Sequence, residues 1–208
     1  MERREAIKYI SILLGGTFIG ANAFLTGCKT GGKPTDFSPE DIAYLDEVAE
    51  TILPATSTPG AKAAKVGQFI TLMVNDCYEE GDRKVFREGM DKLNGQSKDK
   101  YGKEFMSITP AQRKELLIAI DSEAKEYQKK VDEFQDKENQ KDKDERRSGN
   151  HKYVKQKMSP HYFTMMKQLT LLGFFTSEVG SRHALRYNPV PGRYEACIPY
   201  KKGDKAWA

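Results

Sequence analysis

Three of the four Ser/Thr-Pro pairs in this 208-residue chain, Ser38-Pro39, Thr109-Pro110 and Ser159-Pro160, read as helix starts, with apolar residues following at helical spacing. Proline lacks an amide hydrogen, so a helix accepts it in the first turn, where a preceding hydroxyl can take up a free backbone N–H. This punctuation says where helices begin, and it predicts an all-α chain. Ser38-Pro39-Glu40-Asp41 adds acidic residues to the first turn, and Phe37 with Ile42 can close over it as a hydrophobic staple. Ile42, Leu45, Val48 or Ala49, and Ile52 then form one apolar face up to Pro54. A second helix follows Pro59-Gly60, striped by Val66, Phe69, Ile70, Met73, Val74 and Cys77. A third, over 82–93, carries Val85, Phe86, Met90 and Leu93 and is expected to close at Asn94-Gly95. Thr109 with Gln112 forms a capping box for a fourth, whose buried side is Leu116, Leu117 and Ile120. The last begins at Ser159-Pro160, turns Phe163, Met166, Leu169 and Leu172 inward, and is expected to stop at Gly173.

Between the fourth and last helices the apolar pattern lapses. Over 129–147 only Val131 and Phe134 are sizeable apolar side chains, too few for core. The region 129–157 therefore reads as a charged insertion, either a solvated helix extension or a mobile segment, with a partner-binding arm as the functional alternative. Beyond Gly173, Phe174-Phe175-Thr176-Ser177-Glu178 and the run from Tyr187 to Pro199 are aromatic and proline-rich without periodicity. Such a tail must lie on something to be ordered. Lys and Arg number 34 against 30 Asp and Glu, a net charge of +4, with the signs mixed along most of the chain. That is a soluble surface and not a nucleic-acid footprint.

The N-terminus reads as an address. MERREAIK is a basic head, and the apolar run after it is short and interrupted by Gly15, Gly16, Gly20 and Asn22, which suits a signal peptide better than a spanning helix. It ends in Leu25-Thr26-Gly27-Cys28, an aliphatic residue, two small ones and a cysteine, which resembles a lipobox. Residues 1–27 are thus expected to be removed, leaving 208 − 27 = 181 residues that begin at a diacylglyceryl-bearing Cys28. Two or three acyl chains anchor stably where one does not. Residues 28–36 would be the tether and 37–208 a single helical domain on the periplasmic side of a bacterial membrane, inner or outer. Arg3-Arg4 with Ile7 and Lys8 resembles the twin-arginine export motif, although Ala6 stands where phenylalanine is usual. The pair equally suits the basic head of a general secretory signal.

No catalytic signature is present. The chain has no GxGxxG turn for a dinucleotide pyrophosphate, no CxxCH for haem and no HExxH among His151, His161 and His183. Three scattered cysteines build neither a cluster nor a zinc site. With Cys28 acylated, Cys77 and Cys197 could form a disulfide pinning the tail to the second helix, or be two unrelated thiols with Cys77 on the buried stripe.

The mature chain resembles the gluconate 2-dehydrogenase subunit 3 family, the small subunits of exported flavoprotein dehydrogenases. Ile52-Leu53-Pro54, Pro59-Gly60-Ala61, Val66-Gly67-Gln68-Phe69-Ile70 and above all Leu169-Thr170-Leu171-Leu172-Gly173-Phe174-Phe175-Thr176-Ser177-Glu178 carry the likeness, with Pro191-Gly192-Arg193-Tyr194-Glu195-Ala196-Cys197 near its end. The charged insertion and the lipobox depart from the family pattern. The resemblance implies a non-catalytic subunit that helps mature, export and anchor a large FAD-containing partner of the glucose-methanol-choline oxidoreductase type acting on a sugar or polyol. It leaves open whether a cytochrome c subunit joins. Phe174, Phe175, Ser177, Glu178, Pro191 and Tyr194 are the expected docking residues, the competing reading being that they cap this domain's own core. A free-standing periplasmic lipoprotein, acting as scaffold or ligand-binding module, is the alternative function.

Overall fold

A computed structural model describes residues 37–190, 192–193 and 197–207. Arg3, Arg4, Cys28, Pro191 and Tyr194, and with them the leader and tether, lie outside the described residues. Within them the chain is all-helical: α1 (Pro39–Ile52), α2 (Val66–Cys77), α3 (Glu80–Tyr101), a 3-10 turn (Phe105–Ser107), α4 (Pro110–Arg147), α5 (Tyr162–Thr176) and α6 (Glu178–Ala184). The two capping boxes form as the sequence predicts. The Ser38 hydroxyl accepts from Asp41 N while the Asp41 carboxylate accepts from Ser38 N, and Thr109 with Gln112 does the same for α4.

Helix α5 is the hub, packing against α1, α2, α3, α4 and α6. Its Tyr162, Phe163, Met165, Met166 and Leu169 are buried, and they meet Leu45, Val48, Ile70, Phe86, Leu93 and Ile120 from the surrounding helices in one core. Each fully buried side chain of this size contributes about 1.5–3 kcal/mol relative to exposure. The expected start at Ser159-Pro160 is displaced to Tyr162, because His161 is the N-cap: its Nδ1 accepts from Phe163 N at 3.2 Å.

Two expected helix ends are corrected as well. Helix α3 runs through Asn94-Gly95 to Tyr101, since Ser97 is fully buried and its hydroxyl donates to Lys103 O at 2.8 Å, anchoring the extra turns. It stops at Gly102, whose φ of 71° is the left-handed conformation that ends helices and that only glycine adopts freely. Helix α5 likewise runs through Gly173 to Thr176, and Leu172 faces outward rather than inward. Phe174-Phe175 therefore belongs to a helix and not to an irregular tail. Cys77 also leaves the buried stripe. It is exposed, with its sulfur 3.9 Å from Met73 Sδ one turn back.

The charged insertion is the helix extension. Helix α4 continues for 38 residues, and the chain then returns along its last turns. Tyr153 Oη donates to Glu138 Oε2 at 2.6 Å, Gln156 N donates to the same oxygen at 2.9 Å, and Lys155 reaches Asp142 at 3.5 Å. Glu138 and Asp142 are covered as a result. A second anchor holds the root of the return, where Lys157 Nζ bridges Asp82 at 2.7 Å and Glu79 at 3.1 Å.

Candidate partner-docking surface

Helix α5 is apolar around nearly its whole circumference, which suits a helix enclosed on all sides. Its first turns are enclosed, but its last turn is not. Leu172 is 46% exposed and Phe175 39% exposed, while Phe174 between them is only 4% exposed. The two phenylalanine rings meet edge to face at 5.2 Å, so the buried ring supports the exposed one. On α2, Leu72 is 59% exposed one turn beyond Phe69. Phe69 lies against Gly173, where an added Cβ would stand 2.6 Å from its Cδ1, so glycine is what lets α2 and α5 approach this closely. Exposed apolar side chains thus flank the α2–α5 contact from both helices.

The other expected docking residues divide between structural and surface roles. Ser177 is a pivot: its hydroxyl donates to Phe174 O at 2.7 Å, closing α5, and accepts from Gly180 N at 2.9 Å, opening α6. Glu178 is exposed, paired with Arg182 at 3.2 Å. Phe174 is core, which for this residue favours the competing reading that it caps the domain's own core; it follows Met166, Leu169 and Thr170 at helical spacing. Leu72 on α2 and the exposed Leu171 on α5 were missed; for Leu171 the signal was the absence of any polar face on α5. Cys77 and Cys197 are both exposed and unbridged in the structure.

After α6 the tail folds back. Arg186 N donates to Ala206 O at 2.7 Å in an isolated parallel bridge to Trp207, and the Arg186 guanidinium stacks over the Trp207 ring at 4.8 Å. Lys205 Nζ also donates to His183 O at 2.6 Å. So the tail does lie on something, the end of α6.

A cleft of about 440 Å³ lies between α3, α4 and the start of α5, lined by Gln96, Asp99, Glu123, Tyr127, His161 and Tyr162 among others. Burial pushes the His161 imidazole below its ordinary value, with Glu123 opposing and Lys92 reinforcing the shift. Burial likewise raises the Tyr162 phenol, which donates to Gln96 Oε1 at 3.1 Å. These shifts belong to a helix cap and its neighbours. Among the described residues no group of three or more His, Cys, Asp or Glu side chains could hold a metal ion, and no helix is long and apolar enough to cross a membrane.

The family model for gluconate 2-dehydrogenase subunit 3 matches residues 39–192. The chain belongs to the gluconate 2-dehydrogenase subunit 3 family. No curated protein and no solved structure matches it. Membership makes it a subunit of a dehydrogenase complex, and the matched span is informative. It opens on Pro39, the first residue of α1, and takes in the exposed end of α5, whereas the last 208 − 192 = 16 residues fall beyond it.

Proposed function

We propose that this member of the gluconate 2-dehydrogenase subunit 3 family is a non-catalytic accessory subunit that binds an FAD-containing dehydrogenase of the glucose-methanol-choline type, helps it mature and leave the cytoplasm, and holds it at a membrane through lipid on Cys28. The partner would oxidise a sugar or polyol. The observation that carries this reading is the end of α5, a hub helix that leaves Leu172 and Phe175 exposed above a buried Phe174. An apolar helix end costs free energy in water unless another surface covers it, and aromatic side chains bring large contact area at low entropic cost. The sequence carries no GxGxxG turn for a flavin pyrophosphate, and on this reading FAD is held by the partner.

The export reading follows from the same assignment. A flavoprotein with noncovalent FAD must cross folded, and a companion carrying Arg3-Arg4 would take it through a route that accepts folded cargo. The tether of residues 28–36 spans at most about 30 Å when fully extended, so Phe37 would stay within that distance of the lipid surface. Expression at natural levels followed by copurification tests the proposal. A flavin spectrum in the captured complex, absent from the small chain purified alone, is the expected result. Flavin bound to the isolated chain, with turnover and no second polypeptide, overturns it.

A further inference from the structure

Charge in this chain is distributed unevenly in a way its total conceals. Residues 182–208 hold Arg182, Arg186, Arg193, Lys201, Lys202 and Lys205 against Glu195 and Asp204, a surplus of four positive charges. That equals the net +4 of the whole chain, so residues 1–181 balance at 28 basic and 28 acidic side chains. The same stretch carries Tyr187, Val190, Ile198, Tyr200 and Trp207, all exposed, with Val190 at 78% and Tyr200 at 76%. Basic and aromatic residues therefore share one short segment, most of it beyond the span that matches the family.

Its described residues are tied together at Arg186 and at 201–207. The Arg186–Trp207 bridge and stack close its ends together, Arg186 also reaches Asp204 at 3.8 Å, and Lys201 N donates to the Asp204 carboxylate at 3.0 Å. Those contacts use Arg186, Asp204 and Trp207 internally. Among the described residues the side chains of Lys201 and Lys202 have no ion-pair partner and stand exposed beside Tyr200.

We propose that residues 186–190 and 197–207 form a preorganised basic and aromatic surface that docks an acidic face of the flavoprotein subunit. This rests on the accessory-subunit reading and adds the partner's chemistry to it. Protein interfaces favour Tyr, Trp and Arg, and complementary charge speeds encounter and fixes register. A latched segment fits a partner of defined shape, whereas a bilayer surface needs only loose basic charge and, on the accessory-subunit reading, would already be engaged by an acylated Cys28. The acidic protein face is therefore the favoured occupant.

The test compares the mature wild-type chain with K201E/K202E and Y200A, using as probe the flavoprotein purified from the same cells and identified by its flavin absorbance. Among the described residues neither lysine side chain makes a hydrogen bond or ion pair, and circular dichroism checks that the variants keep their helices. Charge reversal is expected to weaken capture roughly tenfold and to flatten its dependence on salt, with Y200A weakening capture while leaving the salt dependence intact. If wild type and K201E/K202E capture the flavoprotein equally, this proposal fails and the accessory-subunit reading stands. If wild type captures none, both fail. Trp207 is the single tryptophan of the chain, so its emission reports on the tail directly. A blue shift with vesicles containing phosphatidylglycerol, absent with phosphatidylcholine alone and abolished by K201E/K202E, would assign the surface to the membrane and overturn the proposal. No shift with either vesicle supports it.

Discussion

Arg113 in the first turn of α4 donates through Nη1 to Glu47 Oε2 at 2.5 Å, joining α4 to the middle of α1 across 66 positions of sequence. The same guanidinium donates through Nε to Phe105 O at 3.0 Å and through Nη2 to Met106 O at 2.7 Å, and stacks over the Phe105 ring. One side chain thus fastens two helices and the 3-10 turn. Lys62 completes the arrangement by bonding Glu47 from the loop before α2. Arg113→Ala should cost about 1.5–3 kcal/mol, the range for hydrogen bonds to a charged group, and Arg113→Lys should restore only part of it because lysine lacks the planar fork. Urea denaturation of the two variants measures this.

Glu47 gives the arrangement a pH dependence. The Lys62 hydrogen bond, opposed by burial and aided by the charges of Lys62 and Arg113, holds its carboxyl below the ordinary value of 4.5. A depressed acid contributes stability above its unfolded value that is lost as pH falls through the folded one. Stability should therefore decline below about pH 4.5 more steeply in wild type than in Glu47→Gln. Melting temperature across pH 3–6 reads the difference, and equal slopes would refute it.

His161 should give a second transition, at higher pH. Its Nδ1 must be unprotonated to accept from Phe163 N, and burial holds the imidazole below its ordinary 6.5. The unfolded chain then binds the proton first, so the contribution is complete above pH 6.5 and fades as pH falls through the lower folded value. His161→Asn keeps a capping oxygen and should remove this dependence, while His161→Ala should cost about 1 kcal/mol as a lost N-cap. Thermal melts between pH 5 and 8 check both.

Core and surface positions at the end of α5 should separate cleanly. Phe174→Ala should cost about 3–5 kcal/mol, because its ring is buried, and any loss of partner capture would then report misfolding. Leu172→Asp and Phe175→Ser should change stability by no more than about 1 kcal/mol, yet impair capture of the flavoprotein. Unaltered capture by both folded variants would remove this face from the interface.

Gly173→Val should destabilise by about 1–3 kcal/mol, since the new side chain must displace the Phe69 ring that sits against the backbone there. Phe69→Ala in the same chain should recover part of that loss if the clash is the cause. Chemical denaturation of the single and double variants decides.

Much of the fold was legible because its signals are short-range. Ser38, Thr109 and their proline and capping-box partners act within one turn, so α1 and α4 begin where expected. Expectations failed wherever a distant neighbour decided. Asn94-Gly95 looks like a helix end, yet Ser97 buried against Lys103 carries α3 on to Gly102. Gly173 looks like a turn, yet Phe69 from α2 fills the space over it and the helix continues. The same neighbour effect buried Phe174, exposed Leu172 and left Cys77 at the surface. The insertion was ambiguous for a related reason: Glu138 and Asp142 appear as ordinary solvated charges until residues 150–157 return to cover them.

Caps, breakers and apolar periodicity are properties of a few adjacent residues, and from them alone followed an all-α chain, the starts of α1 and α4, and a family likeness centred on residues 169–178. Which side of α5 meets other helices, where the helices end, and how Arg186 meets Trp207 depend on residues far apart in the chain. Burial is decided by what packs on the opposite side, and only the tertiary structure supplies that opposite side.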